Sequence, residues 1–190
     1  MTTTDITLTN TALLYLSSLI NKRLKKYRSD PFLFKDNTVF KSVNLYINNH
    51  VISLQNEIST IFYYGQDEEI AKLDISISDS SVTYSHLSGV QQIDYPINKV
   101  ISDIQVVNRT CVLYKDKHPA YEMSWTKGII FVFPDMELGF ERLDDFSEQI
   151  AIWKGTKVLS KFIPLEKECT EFEEGYTVKY EQTVLSLLGL

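Results

Sequence analysis

From Tyr121 to Gly155 the hydrophobic positions fall into short runs separated by turn residues, and this stretch sets the expected architecture. Lys127-Gly128 leads into Ile129, Ile130, Phe131, Val132 and Phe133, an unbroken β-branched and aromatic run of the kind buried on both faces, which predicts a central strand. Pro134-Asp135 then supplies a turn, because proline fixes φ and aspartate hydrogen-bonds its own following backbone. On the return strand Met136, Leu138 and Phe140 point one way and Glu137, Gly139 and Glu141 the other, so one face is core and one is wet. Asp144, Asp145, Ser147 and Glu148 interrupt the pattern, and Ile150, Ala151, Ile152 and Trp153 resume it before Gly155. The prediction is a three-stranded antiparallel meander.

Near the N-terminus the period is different. Leu13, Leu16, Ile20, Leu24 and Tyr27 lie 3, 4, 4 and 3 apart, with Thr9 or Asn10 as N-cap, which predicts an amphipathic helix. Lys22, Arg23, Lys25, Lys26 and Arg28 would complement the negative end of its dipole, and Pro31 stops it. Beyond Phe32 period two returns, with strands expected at 39–47, 51–54, 59–64, 70–78, 82–85, 104–114 and 122–126 and a hairpin turn at Asn48-Asn49-His50. A short helix is expected around 158–162, and 176–187 reads equally as a last strand or a short helix. The expected fold class is α+β: an N-terminal amphipathic helix (1–30) packed on a mainly antiparallel, meander-rich β-sheet or partly open barrel (32–155), then a helix or strand segment (156–190), in a single domain over 1–190.

Composition adds that 190 residues with 44% hydrophobic content suffice for a substantial core and exclude general disorder. The net charge of -6 disfavours nonspecific binding to nucleic acid or anionic membrane. That charge is polarised: residues 1–41 carry seven Lys/Arg against three Asp/Glu, and the remainder twelve against twenty-two. Cys111 and Cys169 form no Cys-x-x-Cys pair and have no histidine close in sequence to complete a zinc site, so reduced thiols are expected. The start MTTTD lacks a basic leader and the apolar stretch 12–20 is too short to span a bilayer, which makes a cytoplasmic location the expectation.

Candidate chemistry centres on six carboxylates: Asp135, Glu137, Glu141, Asp144, Asp145 and Glu148. Their spacing fits no EF-hand loop, and most such clusters are solvated strand edges; the functional alternative is an acidic partner-binding face. A second acidic run, Glu166, Glu168, Glu171, Glu173 and Glu174, would add to a negative field able to steer a basic partner. Lys22 to Arg28 is suited to phosphate, but positive residues at a helix end are ordinary. His50, His86 and His118 stand in unrelated segments, and the chain has no Gly-x-Ser-x-Gly elbow, Walker loop, Gly-x-Gly-x-x-Gly or His-Glu-x-x-His. Catalytic residues, metal ligands and cofactors are therefore expected to be none. Tyr121, Met123, Trp125 and Trp153, at strand spacing, read as core.

Trp125-Thr126-Lys127-Gly128-Ile129-Ile130-Phe131, followed by Leu138-Gly139-Phe140-Glu141-Arg142 and Phe146-Ser147-Glu148-Gln149-Ile150, resembles a pattern in small uncharacterised bacterial proteins, some of them similar to immunity proteins of intercellular toxin systems. The resemblance implies a cytosolic protein that neutralises a toxin by binding it, and it carries no functional residues across. The expected function is a non-catalytic protein-binding module acting through an acidic β-rich surface. Its expected partner is a protein, such as a basic toxin domain, with no membrane and no nucleic acid. The competing reading is an enzyme whose carboxylate, Tyr and His groups converge only on folding.

Overall fold

The structure, a computed structural model, describes residues 1–32, 37–78, 83, 85–167 and 175–190, with only the backbone of Tyr63 and Ser78. The strands are β1 (Thr2–Ile6), β2 (Arg23–Ser29), β3 (Thr38–Phe40), β4 (Ser42–Ile47), β5 (His50–Tyr63), β6 (Gln66–Ser78), β7 (Ile93–Val100), β8 (Asp103–Lys115), β9 (His118–Phe133), β10 (Met136–Asp144), β11 (Ser147–Gly155) and β12 (Tyr176–Ser186). They form two sheets, β12-β8-β9-β10-β11-β3 and β6-β5-β4-β2-β7. β10 leaves β9 at Gly128, and β1 joins the same edge in parallel against Tyr121–Trp125. The sheets share one main core, Val43, Leu45, Ile52 and Leu54 facing Ile104, Val106, Ile129, Phe131, Leu138 and Phe140.

The expected meander is present as β9, β10 and β11, with Phe133 facing Met136 across the Pro134-Asp135 turn. β9 lies inside its sheet, and its 129–133 run alternates between the main core and a second layer around Ile130. Residues 158–161 form one 3₁₀ turn, and 176–186 are strand. Of the strand expected at 82–85, Val82 and Tyr84 lie outside the described residues, as do Cys169, Glu168, Glu171, Glu173 and Glu174.

The α+β expectation is overturned: the fold is mostly β, with two packed sheets and, among the described residues, only one short α-helix. The amphipathic helix to Arg28 does not form. The helix α1 covers Asn10–Ser17, with the Thr9 hydroxyl accepting from Ala12 N at 3.2 Å, and Asn21 at φ 66 takes the chain out of helical geometry. β2 follows. Between Leu24 and Lys26 its register shifts by a bulge against both neighbours, so the buried positions fall at Leu24, Tyr27 and Ser29. The first of those gaps is three residues, the spacing of a helix, which is why the strand reads as one.

Two basic side chains of β2 reach the neighbouring β7, where Asp94 takes Lys26 at 2.6 Å and Arg28 at 2.5 Å. The hydrogen bond from Arg28 leads in pulling Asp94 from 3.8 to about 2. A depressed carboxylate stabilises the fold above its unfolded value and loses that contribution as pH falls from 3.8 towards 2. With Asp94 two-fifths exposed the pair is worth at most ~1 kcal/mol. Asp94→Asn should flatten the acid limb of a urea-stability profile by that amount; an unchanged limb counts against it.

Candidate interaction surface

The long β5–β6 hairpin crosses from one core to the other. Near its base Ile52, Leu54 and Leu73 lie in the main core; near its tip Ile61 and Ile70 pack on Ile6, Cys111, Met123 and Trp125 of the other sheet. This change of buried face leaves Ile58 40% and Phe62 44% exposed on strand positions that share one side. Phe146, at the tip of the β10–β11 turn, is 59% exposed.

Backbone and side-chain bonds bring the turn and the hairpin together. Ala71 N donates to Asp145 O at 2.6 Å, and Arg142 Nη1 donates to Ala71 O at 2.6 Å. Ile58, the cross-strand partner of Ala71, donates its N–H to Glu148 Oε1 at 3.3 Å. Lys41 Nζ sits 3.5 Å from both Glu57 and Glu148. Arg142, 2% exposed, also donates to Asp145 Oδ1 at 2.5 Å and stands 5.7 Å from the centre of the Trp125 ring. The seam therefore has a fixed base at Ala71 and Ile58, with Phe146 exposed on the turn and Phe62 exposed farther along the hairpin on the same side as Ile58. The same segments carry exposed Glu57, Asp67, Glu69 and Asp144 and half-buried Glu148, with Glu57 joined to Glu148 through Lys41.

The six carboxylates singled out in the sequence do not share one open face. Asp144, Asp145 and Glu148 gather at this seam. Asp135 is at the far turn, paired with Lys99 at 2.6 Å, which holds its carboxyl below the usual range. Glu137 Oε2 accepts from Val158 N at 2.6 Å. Glu141 is fully buried, so it is no surface contact. Its oxygens accept from Ile163 N at 2.6 Å and Trp153 Nε1 at 2.8 Å, and Lys127 Nζ lies at 3.5 Å. With Arg109, which donates to Ile163 O at 2.6 Å, these groups hold residues 156–167 across the outer face of the larger sheet. Gly128 permits the close approach: a Cβ there would lie 2.4 Å from Phe140 O and 2.6 Å from Phe162 Cε2.

No protein-family model matches the chain. No curated protein and no solved structure matches it either. The geometry alone carries the reading. Beside Ile58 is a shallow depression of about 280 Å³ lined by Gln55, Glu57, Ser59, Lys72 and Asp74, and a second, of about 340 Å³, lies beside Arg28, whose guanidinium is committed to Asp94. Among the described residues no His/Cys/Asp/Glu group is arranged to hold a metal ion, and no helix is long and apolar enough to cross a membrane.

The sequence pattern alone does not single out Glu57, Ile58, Phe62, Asp67 and Glu69. Their signal was an acidic Asp67-Glu68-Glu69 run just past a Tyr64-Gly65 turn, with Phe62 before it. Nothing local ties that run to Phe146, 84 positions after Phe62 in the chain.

Proposed function

We propose that this protein is a binding module that engages a basic protein partner through the acid-rimmed apolar seam between the β5–β6 hairpin and the β10–β11 turn. The observation that carries it is the exposure of Ile58, Phe62 and Phe146 among Glu57, Asp67, Glu69, Asp144 and Glu148. Exposed aromatic and branched side chains supply affinity where a partner desolvates them, and same-sign charges around them steer encounter and select a partner of opposite sign. The seam is preorganised by buried Arg142, which lowers the ordering cost of binding.

The most concrete form of this reading, resting on the resemblance of 121–155, is neutralisation of a basic toxin domain in the cytoplasm by covering its active site. Titration calorimetry against the proteins encoded by the neighbouring genes tests it. Phe146→Ala is expected to weaken the complex by about thirtyfold, the scale of an interface hot spot. Added salt should slow association, while Asp135→Asn at the far turn should change nothing. The proposal fails if no neighbouring gene product binds, or if Phe146→Ala and Phe62→Ala both bind like the parent chain.

A further inference from the structure

A β-sheet edge presents unpaired N–H and C=O groups, and natural proteins blunt such edges with charge, proline, bulges or short length. Among the described residues the edge strands β6, β7 and β3 are treated that way. β6 carries Asp67, Glu68, Glu69, Lys72 and Asp74, and at Ala71 it is engaged by Asp145 and Arg142. β7 contains Pro96 and a left-handed Asn98 at φ 55. β3 has only 3 residues.

β12 is different. Its 11 residues contain no proline or glycine, and they pair with β8 in unbroken register from Tyr176 opposite Lys115 to Ser186 opposite Gln105. Among the described residues no strand pairs with its other side. Tyr176, Val178, Tyr180 and Gln182 are half-buried, and Thr177, Lys179, Glu181 and Thr183 are exposed.

We infer that β12 is a self-association edge, pairing antiparallel with β12 of a second copy about a two-fold axis through Tyr180. In an antiparallel ladder the N–H and C=O of one residue point to the same side, and successive residues alternate sides. Two copies of one edge can bond only when outward residues meet outward residues, so the axis must pass through a residue and never between two. With the axis at Tyr180, Lys179 faces Glu181 of the second copy twice over, and Thr177 faces Thr183 twice over.

Neighbouring registers lose this match. An axis at Lys179 sets that lysine against itself, and an axis at Glu181 sets two carboxylates together. At Val178 or Gln182 both charges face uncharged residues. Opposite charges and Thr–Thr pairs directly across a ladder are favourable and like charges are not, so the exposed face of β12 selects a single self-register. The same register sets Val184, 43% exposed, against the ring of Tyr176 in the second copy and so covers it. The interface is isologous, so it closes at two copies and does not propagate into fibres. This inference does not rest on the partner-binding reading, which uses other residues.

Sedimentation equilibrium on the full chain tests it by charge reversal. The parent chain should dimerise reversibly. Lys179→Glu and Glu181→Lys should each weaken the dimer about tenfold or more, because each creates two like-charge pairs. The double variant Lys179→Glu/Glu181→Lys restores opposite charges in the same register and should return to parent affinity. Both side chains are exposed, so circular dichroism should show unchanged folding. In the dimer, amide exchange along 176–184 should slow as concentration rises. A monomeric parent chain, single variants that associate like the parent, or a double variant as weak as the singles would each overturn the inference.

Discussion

Glu141→Ala is expected to destabilise the chain by about 3–5 kcal/mol, the usual cost of removing one member of a buried ion pair. The substitution takes away the carboxylate 3.5 Å from the Lys127 ammonium, 1% exposed, and leaves Trp153 Nε1 and Ile163 N without their acceptor. Chemical denaturation measures the loss, and the release of residues 156–167 should also red-shift Trp153 emission. Glu141→Gln retains an acceptor and should lose less. Burial raises the Glu141 carboxyl above its ordinary 4.5, so the folded chain holds that proton after the unfolded chain has released it. Stability is therefore greater below that ordinary value and declines as pH rises through the raised one. Glu141→Gln should remove that decline. A loss from Glu141→Ala under about 1 kcal/mol, the scale of a surface pair, would mean that Glu141 and Lys127 are not buried together.

Arg142→Ala should cost about 3 kcal/mol, because it leaves Ala71 O unsatisfied and Asp145 without the guanidinium it pairs with. Its second effect is local. The β10–β11 turn loses one of its ties to β6, so amide protection should fall first at Ala71 and Ile58. Partner binding through the seam should weaken beyond what global stability explains, since Phe146 loses its fixed base. If protection falls evenly over both sheets, Arg142 supports the core as a whole and does not order the seam.

Much of the larger sheet was legible because its pattern is local. The 129–133 run, the Pro134-Asp135 turn and the alternation of 136–141 each specify their own conformation, and β9, β10 and β11 follow. The candidate site was legible only in part. Asp144, Asp145 and Glu148 lie within five residues of one another and of Phe146, so the turn announced itself. Glu137 and Glu141 alternate as a wet face should, yet that face is covered by residues 156–167, an element with no periodic signal of its own.

What the sequence determined by itself is the set of strands whose side-chain period and turn residues agree, together with a chain long and apolar enough to bury a core. Tertiary structure decided the rest, for identifiable reasons. A bulge at Lys25 counterfeited a helical spacing, and cross-strand pairing to β4 and β7 outweighed the local preference. The charge of Glu141 was turned inward because Lys127, Trp153 and Ile163 converge on it from three places in the chain. The seam, too, exists only because hydrogen bonds between residues 71 and 145 and between 58 and 148 close the hairpin onto the turn, and contacts at that separation leave no period for a sequence to display.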